Sequence, residues 1–469
     1  MSAERATRIG SIGRLRDALE SRSLQRNAGY IMITTGVNSA LGYLFWLLVA
    51  RSYDAHAVGV ASALIAAMTV VAALADLGTS TALIQRLPAQ RTDPDWSRTL
   101  TASVLTATLA GLAAAVLAAV VVLPALSPSL ETAQSNVLHV LLFAAGVVIW
   151  SASTISDFMF VAERRAGNML TRNFVFGFGK LAIVAALVIA GSGTAFGIFT
   201  AWVAACALSV GAAYWLLVRR LGRRYRPSLS GLGGEIREVA ASYAGNYFIT
   251  LGFLLTTYLL PLAVVLRLSA TDNGYFYIAW LLGGAFFTVT ASVGSALFAE
   301  GSHDRSALAE QTRAAIRMSA FVLVPLMVVF FVAAGPILGL FGDAYARHGK
   351  TLLILLTASA VPDAITGLYI ARVRAERRLV FPAVLSMAIA ALTLVGAWIL
   401  LPSMKLPGAG VAFIAAHVLG SVACLADARL RARRLERGPR AGRRASRESP
   451  GASASADSHA GGGRAGSRR

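Results

Sequence analysis

Residues 26–86 of the chain read RNAGYIMITTGVNSALGYLFWLLVARSYDAHAVGVASALIAAMTVVAALADLGTSTALIQR. Two long apolar runs lie in this stretch, on either side of a short polar turn from Arg51 to His56. Each run has the roughly 20 residues that an α-helix needs to cross the hydrocarbon core of a membrane. Asp76 lies within the second run, where a carboxylate needs a partner or a wet cavity. The stretch therefore predicts a pair of membrane-spanning helices that carries one buried acid.

The composition of the whole chain also indicates an integral membrane protein. Of its 469 residues, 56% are hydrophobic and only 14% are charged, and the mean hydropathy is +0.65. An ordinary soluble domain has a much larger charged fraction. The net charge of +20 would suggest nucleic-acid binding in a soluble protein, but here the basic residues lie between apolar runs. We therefore expect no nucleic-acid partner.

Twelve apolar segments are long enough to span a membrane as helices, because a peptide group in lipid has no water to bond. They lie at roughly 29–50, 57–84, 99–123, 136–160, 171–191, 194–218, 243–266, 273–298, 315–340, 350–371, 379–402 and 408–427. Of the 43 lysines and arginines, 37 fall in the two terminal segments and every second loop, and five fall in the other loops. Basic loops stay in the cytoplasm, so we predict that both termini are cytoplasmic.

The two halves of the chain are related by an internal repeat. Residues 27–51 and 243–267, offset by 216 positions, match at eight of twenty-five positions, among them Arg51 and Arg267. Because each half has six helices, the repeats share one orientation in the membrane. The predicted organisation is a basic N-terminal segment, a six-helix bundle, a cytoplasmic linker, a second six-helix bundle and a basic tail, at 1–26, 27–220, 221–240, 241–427 and 428–469.

Four charged residues lie inside the predicted spans, away from their ends: Asp76, Asp157, Lys180 and Asp363. Charge inside a membrane faces a partner or a wet cavity. The three aspartates are candidates for a cavity or for ion coupling, and the alternative is structural ion pairs and helix caps. Lys180 is a candidate contact for an anionic substrate group, and the alternative is an ion pair with Asp157 on the neighbouring helix.

Two further cations end equivalent helices of the repeat. Arg51 and Arg267 are candidates for an anion-binding pair on the outer side of the membrane, and the alternative is interface anchoring. Both cysteines, Cys206 and Cys424, lie in apolar segments, so no disulfide and no metal site are expected. No pattern in the chain predicts catalytic residues.

The tail from residue 428 is rich in Arg, Gly, Ser and Ala, a composition that predicts disorder. Its first part lies next to the last span and is a candidate for binding anionic lipid headgroups, at about 1 kcal/mol per basic residue. The plainer interpretation is a charge cluster that fixes the topology of the last helix.

Three short stretches carry a resemblance to a known family. They are Asn-Ala-Gly-Tyr at 27–30, Ala-Asp-Leu-Gly at 75–78 and Ala-Leu-Ile-Gln-Arg at 82–86, and the polar turn Ala-Arg-Ser-Tyr at 50–53 adds to them. With them, the chain from roughly 25 to 427 resembles the polysaccharide flippases of the multidrug/oligosaccharidyl-lipid/polysaccharide exporter superfamily. Asp76 corresponds to the aspartate of the Asp-Leu-Gly stretch.

The resemblance implies a V-shaped pair of six-helix bundles, with the first, second, seventh and eighth helices around a central cavity. It implies a polyprenyl-diphosphate-linked oligosaccharide as the substrate, moved across the cytoplasmic membrane of a bacterium by alternating access. Coupling to H⁺ or Na⁺ is left open, and no other cofactor is expected. Glycan polymerases and glycosyltransferases are candidate partners.

Two alternatives to a flippase remain. The first is a cation-coupled drug antiporter of the same superfamily. The second is a membrane glycan polymerase or ligase, but those enzymes carry large outer loops, whereas the outer loops predicted here are short. We therefore expect a transporter and not an enzyme.

Overall fold

The computed structural model describes residues 29–31, 33–76, 78–118, 137–220, 225–228, 244–303 and 306–445. Within this part of the chain, twelve helices are long and apolar enough to cross a membrane. The prediction of an all-α integral membrane protein with twelve spans is therefore confirmed. In chain order the spans are α1 Gly29–Ser52, α2 Ala55–Ala75, α3 Asp93–Leu117, α4 Val137–Ala162, α5 Ala166–Ile189, α6 Ala195–Arg220, α7 Ala244–Arg267, α8 Ala270–His303, α9 Leu308–Gly339, α10 Asp343–Ala375, α11 Val380–Met404 and α12 Leu406–Ala445.

Several predicted segments lie wholly or largely outside the described residues. They are the basic segment 1–26, most of the linker 221–240 and the tail from residue 446. Residues 428–445 are helical in the structure, so the prediction of disorder is wrong for this first part of the tail. Alanine, leucine, arginine and glutamate make up most of this stretch, and all four are strong helix formers.

The second predicted span, 57–84, is broken in the structure. Helix α2 ends at Ala75, and a separate short helix runs from Thr79 to Arg86. Gly78 lies between them with φ of 83°, a left-handed conformation that favours glycine over every residue with a side chain. The break occurs directly after Asp76, so hydropathy alone was misleading at this point.

The helices of the two halves have equivalent neighbours. In the first half α4 packs on α2 and α3, and in the second half α10 packs on α8 and α9. Helix α3 packs on α2 as α9 packs on α8. Equivalent neighbours in the same chain order are what a parallel repeat produces.

By their contacts, residues up to Ser421 form one compact unit and residues from Val422 form a second. Within the first unit, α2 packs against both α7 and α8. An apolar core joins the same two halves, with the rings of Trp46 and Tyr277 only 4.5 Å apart between centroids. The predicted boundaries between the bundles stay a prediction, because most of the linker is not described.

Candidate functional site

Two glycines bring the backbones of α2 and α8 into contact. A Cβ atom on Gly59 would lie 1.7 Å from the carbonyl oxygen of Ala270, and one on Gly274 would lie 2.1 Å from that of Ala55. No side chain tolerates such a distance to backbone, so the close approach requires glycine at both positions. Each glycine follows the alanine of its own helix by four residues, and the two pairs are 215 residues apart. The same short motif therefore makes the contact in both halves.

A buried asparagine adds hydrogen bonds to this contact. The side-chain amide of Asn273 donates to the carbonyl oxygen of Gly59 over 2.8 Å and to the hydroxyl of Ser62 over 3.1 Å. Asn273 is fully buried, and breaking buried hydrogen bonds without replacement is costly. We call this region the α2–α8 contact. The contact joins the two halves near the N-terminal ends of α2 and α8.

A cavity of about 310 Å³ lies between the two halves, lined by α2, the short helix after it, α4 and α7. We call it the inter-half cavity. Its lining includes Trp150, Leu251 and Leu254, and its polar residues are Thr69, Asp76, Ser80, Ser151, Thr154, Thr250 and Tyr258. Hydroxyl groups and a carboxylate among spanning helices offer a polar solute the contacts that lipid cannot provide.

Asp76 lines this cavity, as expected for a cavity residue, but its carboxylate already has partners. Its Oδ1 atom accepts hydrogen bonds from the Thr79 hydroxyl at 2.9 Å, the Ser80 hydroxyl at 2.6 Å and the Ser80 amide at 3.2 Å. These bonds satisfy donors at the start of the short helix, as a helix N-cap does. The carboxylate therefore stabilises the break after α2.

We expect Asp76→Ala to lower the free energy of unfolding by about 0.5–2 kcal/mol, the usual effect of losing a helix cap. Chemical unfolding of the purified protein, monitored by circular dichroism, measures this change. Unchanged stability, together with translocation that no longer depends on an ion gradient, would assign Asp76 to coupling instead of capping.

Asp157 belongs to a buried polar network inside the first half. One carboxylate oxygen pairs with Arg172 over 2.7 Å, and the other accepts from the Asn173 amide over 3.0 Å. The Arg172 guanidinium also donates to the hydroxyls of Ser153 and Ser209. Arg172 is 3% exposed, so its buried positive charge is balanced by the Asp157 carboxylate. The alternative that Asp157 pairs with Lys180 is wrong, because Arg172 takes that place.

Lys180 lies among aromatic rings. Its Nζ atom is 4.3 Å from the ring centroid of Trp202, 4.8 Å from that of Phe176 and 5.3 Å from that of Phe45. The side chain is buried and does not line the inter-half cavity. Such rings stabilise a desolvated ammonium by about 2 kcal/mol. These contacts favour a packing role, and anion binding by Lys180 stays a prediction.

Arg51 and Arg267 each bind the backbone of a different helix. The Arg51 guanidinium donates to the carbonyls of Leu340 at 2.6 Å and Gly339 at 3.3 Å, where α9 ends. Arg267 donates to the carbonyl of Trp398 at 3.1 Å and lies over its ring. At the end of α9 the Arg51 cation complements carbonyls that the helix leaves unpaired, whereas Trp398 lies inside α11. Both guanidiniums are therefore engaged by protein groups, and the predicted anion-binding pair remains a prediction.

A second cavity, of about 430 Å³, lies within the second half, and we call it the C-half cavity. Helices α7, α8, α10, α11 and α12 line it. Asp363 is on its wall, with Oδ1 3.3 Å from Nε2 of His417. Arg374 is also on the wall, and its guanidinium lies 4.4 Å from the ring centroid of Phe298. Of the three aspartates predicted from the sequence, Asp76 and Asp363 therefore line cavities and Asp157 does not.

Two cations of the spanning helices are not candidates from the sequence. Hydropathy places Arg172 at the edge of a predicted span and Arg374 in a cytoplasmic loop, but both lie within helices, α5 and α10. For Arg374 the signal was present, because it follows Asp363 by eleven residues, a spacing that returns to the same face of a helix. Arg172 had a weaker signal at the margin of a predicted span.

The fold is that of transporters of the multidrug/oligosaccharidyl-lipid/polysaccharide exporter superfamily. The structure of the lipid II flippase MurJ in an inward closed conformation is 13% identical in sequence; the alignment covers 85% of this chain and 87% of MurJ, with a TM-score of 0.69. For an inward-facing multidrug resistance MATE transporter of this superfamily, the identity is 14%, the coverage is 87% of this chain and 99% of the transporter, and the TM-score is 0.64. For an outward-facing MATE transporter, the identity is 15%, the coverage is 88% of this chain and 96% of the transporter, and the TM-score is 0.56.

The family is shown by the sequence itself. Residues 48–348 match the family described as polysaccharide biosynthesis protein. Because the match spans more than half of the chain, the protein belongs to this family. No curated protein matches the chain.

Proposed function

We propose that the protein is a flippase that moves a polyprenyl-diphosphate-linked oligosaccharide across the cytoplasmic membrane of a bacterium by alternating access. The observation that carries this proposal is the match of residues 48–348 to a polysaccharide biosynthesis family, in a chain whose fold resembles a lipid II flippase. A diphosphate and a glycan cannot cross hydrocarbon without a polar path. The hydroxyl and charged side chains that line the two cavities among the spanning helices would supply parts of such a path.

The charge distribution supports the direction of transport that we propose. Basic loops favour cytoplasmic termini, which would place the α2–α8 contact on the outer side. The inter-half cavity then lies toward the cytoplasm from this contact. In this state the substrate enters from the cytoplasmic leaflet, and opening of the α2–α8 contact releases it outward. The basic residues from Arg429 onward would face anionic lipid headgroups.

A cation-coupled drug antiporter is the second candidate, because the fold is also that of multidrug resistance transporters. Reconstituted vesicles separate the two candidates. We expect the purified protein to move a fluorescent polyprenyl-diphosphate oligosaccharide between leaflets, measured by dithionite quenching, and to leave ethidium efflux at the level of empty vesicles. Ethidium transport driven by an ion gradient, without movement of the lipid-linked sugar, would favour the antiporter.

The same vesicle measurement tests the role of Lys180. We expect Lys180→Met to keep the translocation rate within about twofold, because the ammonium contacts aromatic rings and lines neither cavity. Methionine preserves the length and the apolar packing of the side chain. A loss of translocation in a variant that still folds would instead support substrate-anion binding by Lys180.

A further inference from the structure

We propose that the C-half cavity is the binding site for a sugar of the substrate, a hexose or short oligosaccharide with free hydroxyls. Asp363 is the principal acceptor for its hydroxyl protons. This inference rests on the proposed function, because it names the part of the lipid-linked glycan that this cavity holds. With about 430 Å³, the cavity falls within the range of small-molecule sites.

Aromatic rings form one wall of the cavity. Trp280 and Phe413 lie 5.2 Å apart between ring centroids at an interplanar angle of 89°, and Phe287 lies 5.0 Å from Phe413. All three residues line the cavity. The face of an aromatic ring carries partial negative charge and attracts positively polarised hydrogens. The C–H groups on one face of a pyranose ring are such hydrogens, so an aromatic lining is compatible with a sugar ring.

Hydroxyl groups on the other walls are available mainly as acceptors. Thr256, Thr257 and Ser295 line the cavity, and each donates its proton to the carbonyl four residues earlier in its own helix. A hydroxyl that has donated its proton still has lone pairs that accept. A sugar brings many O–H donors to such a wall. A phosphate brings only acceptors, so these walls discriminate in favour of the sugar.

Asp363 has a carboxylate oxygen that lacks a partner. Its Oδ1 atom faces His417, but Oδ2 is buried and has no hydrogen bond within the described part of the chain. The His417 ring is held in turn by contact of its Nδ1 with the carbonyl of Phe413 over 3.2 Å. A buried acceptor without a donor is unfavourable, because it has lost its hydrogen bonds to water. A sugar hydroxyl that donates to Oδ2 would replace them.

The other two membrane aspartates do not offer the same arrangement. Both carboxylate oxygens of Asp157 are already occupied by protein donors. Asp76 accepts three hydrogen bonds on one oxygen from the helix that it caps. Among these three aspartates, Asp363 alone combines a buried carboxylate oxygen that lacks a partner within the described residues with an aromatic cavity wall.

Arg374 explains how a sugar in this cavity remains attached to its lipid. It lies eleven residues after Asp363 on the same face of α10, a separation of about 16 Å along the helix axis. It lies one residue before α10 ends at Ala375, at the side that we expect to be cytoplasmic. The Nε atom of Arg374 has no hydrogen-bond partner in the described residues. A diphosphate at Arg374 and a sugar at Asp363 match the order of groups in a lipid-linked glycan.

Saturation-transfer difference NMR tests this site on the full-length protein in nanodiscs. The probes are the methyl glycosides of glucose, galactose, mannose and N-acetylglucosamine, with inorganic diphosphate as the competitor. We expect saturable binding of at least one glycoside that diphosphate does not displace. Asp363→Asn should weaken this binding about tenfold or more, because hydrogen bonds to charged groups contribute about 1.5–3 kcal/mol. Phe413→Leu should weaken it as well, because leucine lacks the aromatic face.

Asp272→Asn is the matched control, since Asp272 lies at the start of α8 and bonds Ser269 outside the cavity. The control should bind the glycoside as the wild type does. Absence of binding by all four glycosides would overturn the proposal, and so would binding that neither Asp363→Asn nor Phe413→Leu weakens. Wild-type vesicles separate the two proposals: sugar binding without translocation contradicts the flippase alone, and translocation without binding at Asp363 contradicts the site alone.

Discussion

Replacement of Gly59 by alanine is expected to lower the rate of translocation about fivefold or more. The new methyl group would lie 1.7 Å from the carbonyl oxygen of Ala270, and neither backbone can move aside without separating α2 from α8. Overpacking of this kind costs about 1–3 kcal/mol, and each 1.4 kcal/mol changes an equilibrium about tenfold. The state that is closed at the α2–α8 contact would lose population. Dithionite quenching of a fluorescent lipid-linked oligosaccharide in vesicles measures the rate.

Gly284→Ala is the matched control in α8. A Cβ atom at Gly284 meets no other atom within 4 Å, and alanine favours a helix by up to about 1 kcal/mol over glycine. We expect this variant to translocate at the wild-type rate and to be at least as stable. Equal rates for the Gly59 and Gly284 variants would mean that the close approach of α2 and α8 is not needed for transport.

Asp157→Ala is expected to destabilise the protein by about 3–5 kcal/mol, the effect of leaving one member of a buried ion pair alone. Arg172 would keep a buried guanidinium without its counter-charge, since it is 3% exposed. A lower midpoint in chemical unfolding of the detergent-purified protein measures this loss.

The double variant Asp157→Leu with Arg172→Met controls for the charge. Apolar replacement of a whole buried pair is often close to neutral, so the double variant should unfold near the wild-type midpoint. A single and a double variant of equal stability would contradict the account of the network as a balanced ion pair.

Hydropathy and loop charge were sufficient to predict the twelve helices, because spanning a membrane imposes a minimum apolar length on each one. The same averaging concealed the break after Asp76. There the local chemistry decides, since an Asp-Leu-Gly-Thr-Ser sequence combines a capping carboxylate with a residue suited to positive φ. Residues 428–445 form a helix where the composition of the tail predicts disorder, because strong helix formers outweigh the low hydrophobicity of this stretch.

Less of the candidate site than of the fold could be predicted from the sequence. The alanine and glycine spacing at 55–59 and 270–274 is visible in both halves, but only the fold shows that these segments contact each other. The partner of Asp157 was missed because Arg172 lies at the edge of a predicted span and was counted as a loop residue. The C-half cavity is assembled from five helices, and a single sequence does not specify their arrangement.

Reversible cross-linking across the α2–α8 contact tests the central claim most directly. Ser62→Cys and Asn273→Cys would replace two side chains that lie 3.1 Å apart, in a protein from which Cys206 and Cys424 have been removed. A short bifunctional methanethiosulfonate joins the two thiols through disulfide bonds, and dithiothreitol reduces these bonds and releases the pair. We predict that the cross-linked protein does not translocate the fluorescent lipid-linked oligosaccharide and that reduction restores the rate. Undiminished translocation by the fully cross-linked protein would contradict alternating access through this contact.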